Sequence, residues 1–357
     1  MRRVLVTGGA GFIGANFLHH WLKAYPQDRV VMLDALTYAG STLNFKDAEA
    51  KSNFRFVKGD ICDEALVNQL MREERIDTVA HFAAESHVDR SIDGPDAFIH
   101  TNIIGTHVLL KAAKTEWTGK QGSFRFHHVS TDEVFGSLSP TDPAFHEKTP
   151  YDPSSPYSAS KASSDHLVRA YHRTYGLPVT LTNCSNNYGP YQFPEKLIPV
   201  IILNALAGRP IPVYGDGHQV RDWLYVADHC TAIDAVIQRG KLGETYNVGG
   251  NGERRNIEIV RTICELLDER RQDSKHRPHQ SLIKFVQDRP GHDRRYAIDI
   301  RYIRKELGWQ PAEDLASGLA KTVDWYLAHL DWCESVAGQK VAAERRGLGQ
   351  PATGGHP

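Results

Sequence analysis

The sequence predicts an α/β fold: a doubly wound parallel sheet of the Rossmann type with a smaller α/β substrate-binding lobe. Short β-branched runs alternate with helix-length amphipathic segments through the first half of the chain. A glycine-rich turn follows the first of these runs. After about Tyr188, prolines divide the chain into shorter pieces, which indicates a second lobe.

The elements follow in order from this alternation. Strands are predicted over residues 3–7, 30–34, 54–58, 78–82, 124–130 and 179–182. Helices are predicted over residues 12–23, 64–73, 95–114 and 156–175, the last begun by a proline. Later helical periodicity covers residues 226–238, 257–267 and 315–330, and residues 245–249 read as a strand and a glycine turn.

The two lobes are expected to be interleaved. Residues 1–188 with about 226–250 would form the dinucleotide-binding domain, and about 189–225 with 251–330 the substrate lobe. Residues 337–357 are rich in Gly, Arg, Ala and Pro without an apolar period, so a disordered tail is expected.

Composition excludes several classes of function. The 42 basic and 43 acidic residues of this 357-residue chain leave a net charge of -1, so no global field favours nucleic acid or an anionic membrane. No apolar run reaches 18 residues. The five scattered cysteines and the spacing of the 18 histidines indicate neither a disulfide framework nor a metal site, and we expect a cytoplasmic protein.

A cofactor site is predicted directly after the first strand. Gly8, Gly11 and Gly14 permit a tight turn, close approach of a pyrophosphate and close helix packing, and Phe12 and Ile13 open the helix whose N-terminus faces the anion.

Other cofactor contacts are expected at the ends of the next strands. Asp34 follows Gly14 by 20 residues and can accept hydrogen bonds from the adenosine ribose, which favours NAD over NADP. Asp60 and Ile61 could contact adenine, and the Ala83-Ala84 backbone could approach the cofactor.

Tyr157 and Lys161 lie four residues apart on one face of a predicted helix. An ammonium near a phenol favours phenolate, so we expect Lys161 to lower the pKa of Tyr157 and make it a general base. This spacing alone is a weak motif, and a solvated helix face is its alternative.

Thr131, Asp132 and Glu133 fall at the carboxyl end of the predicted fifth strand, where open α/β sheets bind ligands. Two carboxyl groups in one cleft repel when both are ionised, so one can act as an acid and the other as a base. Elsewhere an Asp-Glu pair is more often a solvated turn or a helix cap.

From residue 3 to about residue 326 the chain resembles the nucleotide-sugar 4,6-dehydratases of the extended short-chain dehydrogenase/reductase family. The resemblance rests on nine stretches. They are residues 8–14, 34–40, 83–91, 131–133, 157–161, 186–190, 196–199, 219–223 and 288–292. A minor departure is Ala227, where the family pattern has an acidic residue.

The resemblance implies an internal redox cycle on dTDP-glucose with NAD as a retained cofactor. Tyr157 would take the proton of the 4-hydroxyl, Glu133 the proton of carbon 5, and Asp132 would protonate the departing 6-hydroxyl. Thr131 would orient the 4-oxygen, and the product would be dTDP-4-dehydro-6-deoxy-glucose. The resemblance also implies a homodimer, through residues 95–114 and 156–175.

Further binding residues are implied by the same resemblance. Positions near the cofactor are Thr37, Thr101 and Asn187. Substrate positions are Ser86, Asn186, Lys196, Leu197, Pro212, Tyr214, Arg221, Asn256, Asp288 and His292.

Three alternatives stay open on the sequence. A nucleotide-sugar 4-epimerase also needs Tyr157, Lys161 and NAD but has no use for the carboxyl pair. A 4,6-dehydratase for another nucleotide is not excluded by residue types. A non-catalytic NAD-binding sensor would be expected to lose the catalytic residues, which this chain retains.

Overall fold

The computed structural model describes residues 1–288 and 293–339. Its main sheet has seven parallel strands in the order β11-β6-β5-β4-β1-β2-β3. These strands are β1 (Arg3–Thr7), β2 (Arg29–Asp34), β3 (Phe54–Lys58), β4 (Thr78–His81), β5 (Arg125–Thr131), β6 (Val179–Cys184) and β11 (Thr245–Val248). The Rossmann-type fold class predicted from the sequence is therefore confirmed.

Short strands outside this sheet pair among themselves: β7 with β10, β9 with β12, and β8 with β13. Their bounds are β7 (Asn186–Tyr188), β8 (Ile211–Tyr214), β9 (Val220–Arg221), β10 (Trp223–Tyr225), β12 (Arg254–Arg255) and β13 (Ile283–Val286).

The α-helices alternate with the strands in the first half and gather near the end of the chain. They are α1 (Phe12–Ala24), α2 (Lys46–Glu49), α3 (Glu64–Glu73), α4 (Val88–Asp93), α5 (Asp96–Phe98), α6 (Thr106–Trp117), α7 (Pro156–Tyr175), α8 (Leu197–Leu206), α9 (Val226–Arg239), α10 (Asn256–Arg270), α11 (Arg301–Leu307), α12 (Leu315–Ala328) and α13 (Leu330–Gln339). Short 3-10 turns lie at Thr42–Asn44, Asp132–Phe135 and His279–Leu282.

Helices cover both faces of the sheet, which is why its central strands are almost entirely buried. One face packs against α3, α6 and α7 around Leu5, Val79 and Leu109, and the other against α1 and α9 around Val6 and Phe17. Side chains on both faces of β1 are almost fully buried. The order of the strands reverses between β1 and β4, and a ligand crevice is expected outside the carboxyl ends at such a point.

A second core lies away from the sheet. Apolar residues of α8, α10, α12 and α13 bury one another there, for example Ile201, Val260, Ile263 and Val323. No described helix is long and apolar enough to cross a membrane.

The structure corrects two predicted elements. Residues 95–114 are not one regular α-helix, because a π-helical segment, Ile99–Gly105, separates α5 from α6. The extra residue of a π-turn changes the direction of the following side chains. The predicted tail is helical at its start, since α13 runs to Gln339, and residues 340–357 lie outside the described residues.

Candidate active site

A cleft at the carboxyl ends of the central strands brings most of the predicted site residues together. All five predicted catalytic residues line it, as do Ser86, Asn186 and Lys196. The predicted cofactor residues that line it are Gly8, Gly11, Phe12, Ile13, Gly14, Asp34, Thr37, Asp60, Ile61, Ala83, Ala84, Thr101, Tyr157, Lys161 and Asn187.

In the glycine turn between β1 and α1, backbone segments approach one another so closely that a side chain would prevent the contact. Gly8 has a φ of 73°, and a Cβ on it would collide with the backbone of Ala83. A Cβ on Gly14 would collide with the carbonyl of Gly8. Helix α1 starts after Gly11 with no side-chain cap, so its first N–H groups can serve an anion in the cleft. This turn fits a dinucleotide.

Asp34, at the end of β2, is fixed by backbone N–H groups. Its Oδ2 accepts from the N–H of Ala10 at 2.9 Å and its Oδ1 accepts from the N–H of Leu36 at 2.8 Å. Each carboxylate oxygen has a second lone pair. The carboxylate can therefore accept ribose hydroxyls in a fixed orientation.

The acidic pair sits on the turn that ends β5. Thr131 is the last residue of that strand, and its Oγ1 caps the following 3-10 helix by accepting from the N–H of Glu133 at 3.3 Å. Gly136 ends the turn at a φ of 84°, where a Cβ would collide with the carbonyl of Asp152. The turn holds both carboxyl groups in the cleft.

Asp132 and Glu133 differ in burial. Asp132 is 2% exposed, whereas Glu133 is only partly buried. Burial raises the pKa of Asp132 well above its usual value, and the charges of Glu133 and Asp222 act in the same direction. The raised pKa favours the protonated form of Asp132, which can donate a proton.

Helix α7 presents the tyrosine and the lysine. Ser155 caps it by accepting from the N–H of Ser158 at 3.1 Å, and Pro156 occupies its first turn. Tyr157 is 8% exposed and Lys161 is 4% exposed. The Lys161 ammonium donates to the carbonyl of Val129 on β5 at 2.8 Å, which ties the helix to the strand that leads to the acidic pair.

The expected lowering of the Tyr157 pKa is wrong for this structure. Burial raises the pKa of Tyr157 well above its usual value, and the charge of Glu133 raises it further. Burial also lowers the pKa of Lys161. The reason is that desolvation penalises both charged forms, an effect that a spacing in the sequence does not show.

The other substrate positions that the structure describes fall within the predicted substrate lobe and do not line this cleft. Leu197 opens α8, and Pro212 and Tyr214 belong to β8. Gln219 links Asn256 and Asp288. Its carbonyl accepts from the N–H of Asn256 at 3.0 Å, and its Nε2 donates to Asp288 at 2.8 Å.

Arg221 is buried among backbone acceptors in the same lobe. It donates to the carbonyls of Val220 and Asp293, each at 2.8 Å, and its guanidinium lies 4.3 Å from the centre of the Tyr296 ring. Asp222, the next residue in the chain, accepts from the N–H groups of Gly250 and Gly252. His292 lies outside the described residues.

Sequence reasoning missed Asn102, which the π-helical segment turns inward. Its amide exchanges two hydrogen bonds with the backbone of Glu85, at 2.9 and 3.0 Å, and donates to Ser160 at 2.8 Å. It therefore joins the loop after β4 to α7. A buried asparagine inside an apolar helical run was the signal that could have identified it.

Tyr38 and Glu195 also line the cleft and were not predicted. The guanidinium of Arg90 lies 3.7 Å from the centre of the Tyr38 ring, and Phe193 packs edge-on to the same ring. Tyr38 belongs to a stretch that carried the resemblance, which was the available signal.

The sequence matches the family model described as GDP-mannose 4,6 dehydratase over residues 5–322. A dTDP-glucose 4,6-dehydratase from Xanthomonas campestris pv. campestris is 59% identical over 348 residues, which cover 96% of this chain and 98% of that protein. A dTDP-glucose 4,6-dehydratase 1 from Escherichia coli is 55% identical over 346 residues, covering 94% and 95%.

Solved structures of nucleotide-sugar enzymes are also similar to this chain. The dTDP-glucose 4,6-dehydratase from Streptomyces venezuelae, solved with NAD bound, superposes with a TM-score of 0.86 at 47% identity and covers 94% of this chain and 100% of that one. A UDP-glucose 4-epimerase from Thermotoga maritima gives a TM-score of 0.80 at 28% identity, covering 92% and 99%.

Proposed function

Because the chain belongs to the family of nucleotide-sugar 4,6-dehydratases, we propose that it converts dTDP-glucose to dTDP-4-dehydro-6-deoxy-glucose and water with NAD. One observation carries the proposal: Asp132, whose pKa is raised by burial, and its neighbour Glu133 share the cleft with Tyr157. A 4-epimerase needs the tyrosine, but only elimination of water needs the acid and base as well.

The residues that would hold NAD are the turn from Gly8 to Gly14, Asp34 and the helix face of Tyr157 and Lys161. When bound, NAD supplies the hydride acceptor for carbon 4 and the hydride donor for carbon 6, so it is unchanged after each turnover and need not leave.

Oxidation at carbon 4 requires a base for the 4-hydroxyl proton, and Tyr157 is that base. Lys161 supplies the positive charge that favours phenolate, opposing the effect of burial. Thr131 can take part in both the oxidation and the elimination, since its hydroxyl is within hydrogen-bonding reach of both Tyr157 and Asp132. It orients the 4-oxygen.

Elimination uses the carboxyl pair. The 4-ketone acidifies the proton on carbon 5, which Glu133 removes, while Asp132 gives its proton to the 6-hydroxyl so that water leaves. The proton held by Glu133 returns to carbon 5 when carbon 6 is reduced. Atoms balance, because the product differs from the substrate by one water, and the proton that Tyr157 took from the 4-hydroxyl is exchanged through solvent for the one that Asp132 gave up.

Recognition of the nucleotide diphosphate is assigned to the second lobe. Lys196 and Arg221 provide cations for the diphosphate, and Ser86 and Asn186 contact the sugar. Leu197, Pro212, Tyr214, Asn256, Asp288 and His292 complete the proposed substrate set. The hydrogen bonds of Gln219 with Asn256 and Asp288 support these two residues acting together.

Purified protein incubated with dTDP-glucose tests this function through the mass of the product. We expect a product lighter by one water without net formation of NADH. Unchanged mass with an altered configuration at carbon 4 would instead indicate an epimerase, and unchanged substrate with bound NAD a non-catalytic sensor. Parallel incubation with UDP-glucose tests the nucleotide preference, and faster turnover of UDP-glucose would contradict the thymidine assignment.

We also propose a cytoplasmic homodimer. The described cysteines are all unpaired, which suits a reducing compartment. Ile92, Ile99 and Ile104 are exposed on α4 and the π-helical segment, and Tyr175 is exposed at the end of α7. An apolar surface of this kind supports a contact between copies.

A further inference from the structure

Asp165 is a fully buried carboxylate one helical turn beyond Lys161 on α7. Three donors converge on its Oδ2: the hydroxyl of Ser130 at 2.9 Å, the hydroxyl of Tyr151 at 2.8 Å and the amide of Asn183 at 3.2 Å. A buried carboxylate with several donors is stabilised in its ionised form. No step proposed above uses this residue.

Several partners of Asp165 belong to β5, which leads to the acidic pair, or to the neighbouring strand β6. Ser130 immediately precedes Thr131 on β5. The amide of Asn183 on β6 donates to the carbonyl of Thr131 at 3.1 Å as well as to Asp165. His128, also on β5, places its Nε2 3.2 Å from Asp165 Oδ1. One carboxylate therefore connects α7 to the end of β5.

Other titratable or charged groups also face Lys161 and Asp165. They are His81 on β4, His128 on β5, Cys184 on β6, Tyr151 on the loop before α7, and Tyr157 and Arg169 on α7. Burial lowers the pKa of His128 to about 4 and holds the pKa of His81 well below its usual value, so both are neutral at pH 7. Burial raises the pKa of Cys184 and Tyr151, which are neutral as well.

Among these groups Asp165 carries a negative charge, and Arg169 carries a positive charge in addition to that of Lys161. Arg169 donates to the Tyr151 hydroxyl at 2.7 Å and so reaches Asp165 through that side chain. Burial of Lys161 lowers its pKa, and the charge of Asp165 is the largest influence in the opposite direction. A buried ammonium without a counter-ion would lose its proton readily.

We propose that Asp165 is a positioning residue of this active site: its buried carboxylate is the counter-ion that keeps Lys161 charged, and it fixes α7 to the strand end that bears Thr131. The inference deepens the proposed function and rests on it for the role of Lys161. Asp165 touches neither the substrate nor the cofactor in this account and acts through Lys161.

The pH dependence of turnover tests the counter-ion. Asp165→Asn keeps the shape and can still accept from Ser130 and Tyr151, but it removes the charge. Lys161 should then lose its proton at lower pH, and the upper pH limit of kcat should move down by about one to three pH units. Ser130→Ala, the matched control, removes one donor to Asp165 and keeps the charge, so its upper limit should equal that of the wild type. A fall in kcat at all pH values without a shift of the limit would overturn the proposal.

A second measurement does not depend on turnover. Thermal unfolding of the wild type, Lys161→Met, Asp165→Asn and the double variant forms a double-mutant cycle. We expect Asp165→Asn to lower the Tm more in the wild type than in Lys161→Met, because only the wild type is left with an uncompensated buried charge. Additive changes in Tm would overturn the counter-ion role.

The two proposals fail in different ways. If the wild type does not dehydrate dTDP-glucose, the proposed function fails while the cycle still tests the electrostatic coupling of Lys161 and Asp165. If Asp165→Asn does not accumulate as folded protein, the double variant should recover folding, and its failure to do so would contradict the inference.

Discussion

Asp132 and Glu133 are neighbours in the chain but lie in different surroundings. Asp132 is buried near two other carboxyl groups, which favours its protonated form, whereas Glu133 is partly exposed. The division into an acid and a base therefore follows from burial rather than from residue type. The sequence located the pair at the strand end, but it could not predict the burial of Asp132 or the nearby charge of Asp222, which comes from a distant segment.

Glu133→Gln should separate the two half-reactions. Tyr157 still oxidises carbon 4, but no base removes the proton on carbon 5, so elimination should slow by about 100-fold or more. Rapid-mixing absorbance would show NADH persisting, and mass spectrometry would show a 4-keto sugar that retains its 6-hydroxyl. Glu64→Gln, on the exposed face of α3, is the control and should dehydrate normally. Dehydration by Glu133→Gln at the wild-type rate would show that another group is the base.

Asp132→Asn should change the pH dependence of stability. A carboxyl group whose folded pKa is raised binds its proton more tightly in the folded state, so its contribution to stability is lost as pH rises from the unfolded pKa towards the folded pKa. The Asp132→Asn variant has no carboxyl group at this position, so it does not lose stability in this way as pH rises. Its Tm relative to wild type should therefore be higher at pH 8 than at pH 4, by about 1–2 °C for each 1 kcal/mol relieved. An equal difference in Tm at both pH values would contradict a raised pKa for Asp132.

At the scale of single elements, the turn from β1 into α1 shows how backbone packing forms a binding site. Its glycines were predictable because their spacing and position after the first strand are specific. The π-helical segment was not predictable, because residues 95–114 have the composition of an ordinary amphipathic helix. The hydrogen bonds of Asn102 to Glu85 and Ser160 are tertiary contacts that no local pattern encodes.

Gly14→Ala should weaken NAD binding. The added Cβ would collide with the carbonyl of Gly8, so the turn must open and the helix N-terminus would move away from the pyrophosphate. We expect at least about a tenfold loss of NAD affinity by calorimetry, equivalent to about 1.4 kcal/mol.

Gly94→Ala is the matched control for that change. A Cβ at Gly94 meets no atom within 4 Å, and its φ of -152° is open to any residue. NAD affinity should be unchanged in this variant. Equal affinities for Gly14→Ala and the wild type would contradict the assignment of the turn.

At the scale of the whole molecule, the sheet is completed by a strand that follows part of the second lobe. The chain leaves after β6, forms α8 and β8 to β10, and returns through α9 to add β11 beside β6. The sequence predicted this fold class from its alternation of elements. The positions of Pro212, Tyr214 and Asn256 relative to the cleft could not be predicted, because they depend on how the two cores pack.

The proposed homodimer predicts a species of twice the chain mass of 40.0 kDa in analytical ultracentrifugation. The double change Ile99→Glu with Ile104→Glu should shift it towards the monomer, because charges would be placed in an apolar contact. Leu242→Glu, a change at another exposed apolar residue outside this surface, should leave the mass unchanged. A wild type that sediments as a monomer at micromolar concentration would contradict the dimer.

The central claim is that one substrate molecule is both oxidised and reduced within this cleft. dTDP-glucose carrying deuterium on carbon 4 tests it most directly, with the product read by mass spectrometry and NMR. The account predicts a product lighter by one water in which the deuterium has moved to carbon 6 of the same molecule. Deuterium that remains on carbon 4 of an undehydrated sugar, or that is lost to solvent, would contradict the account.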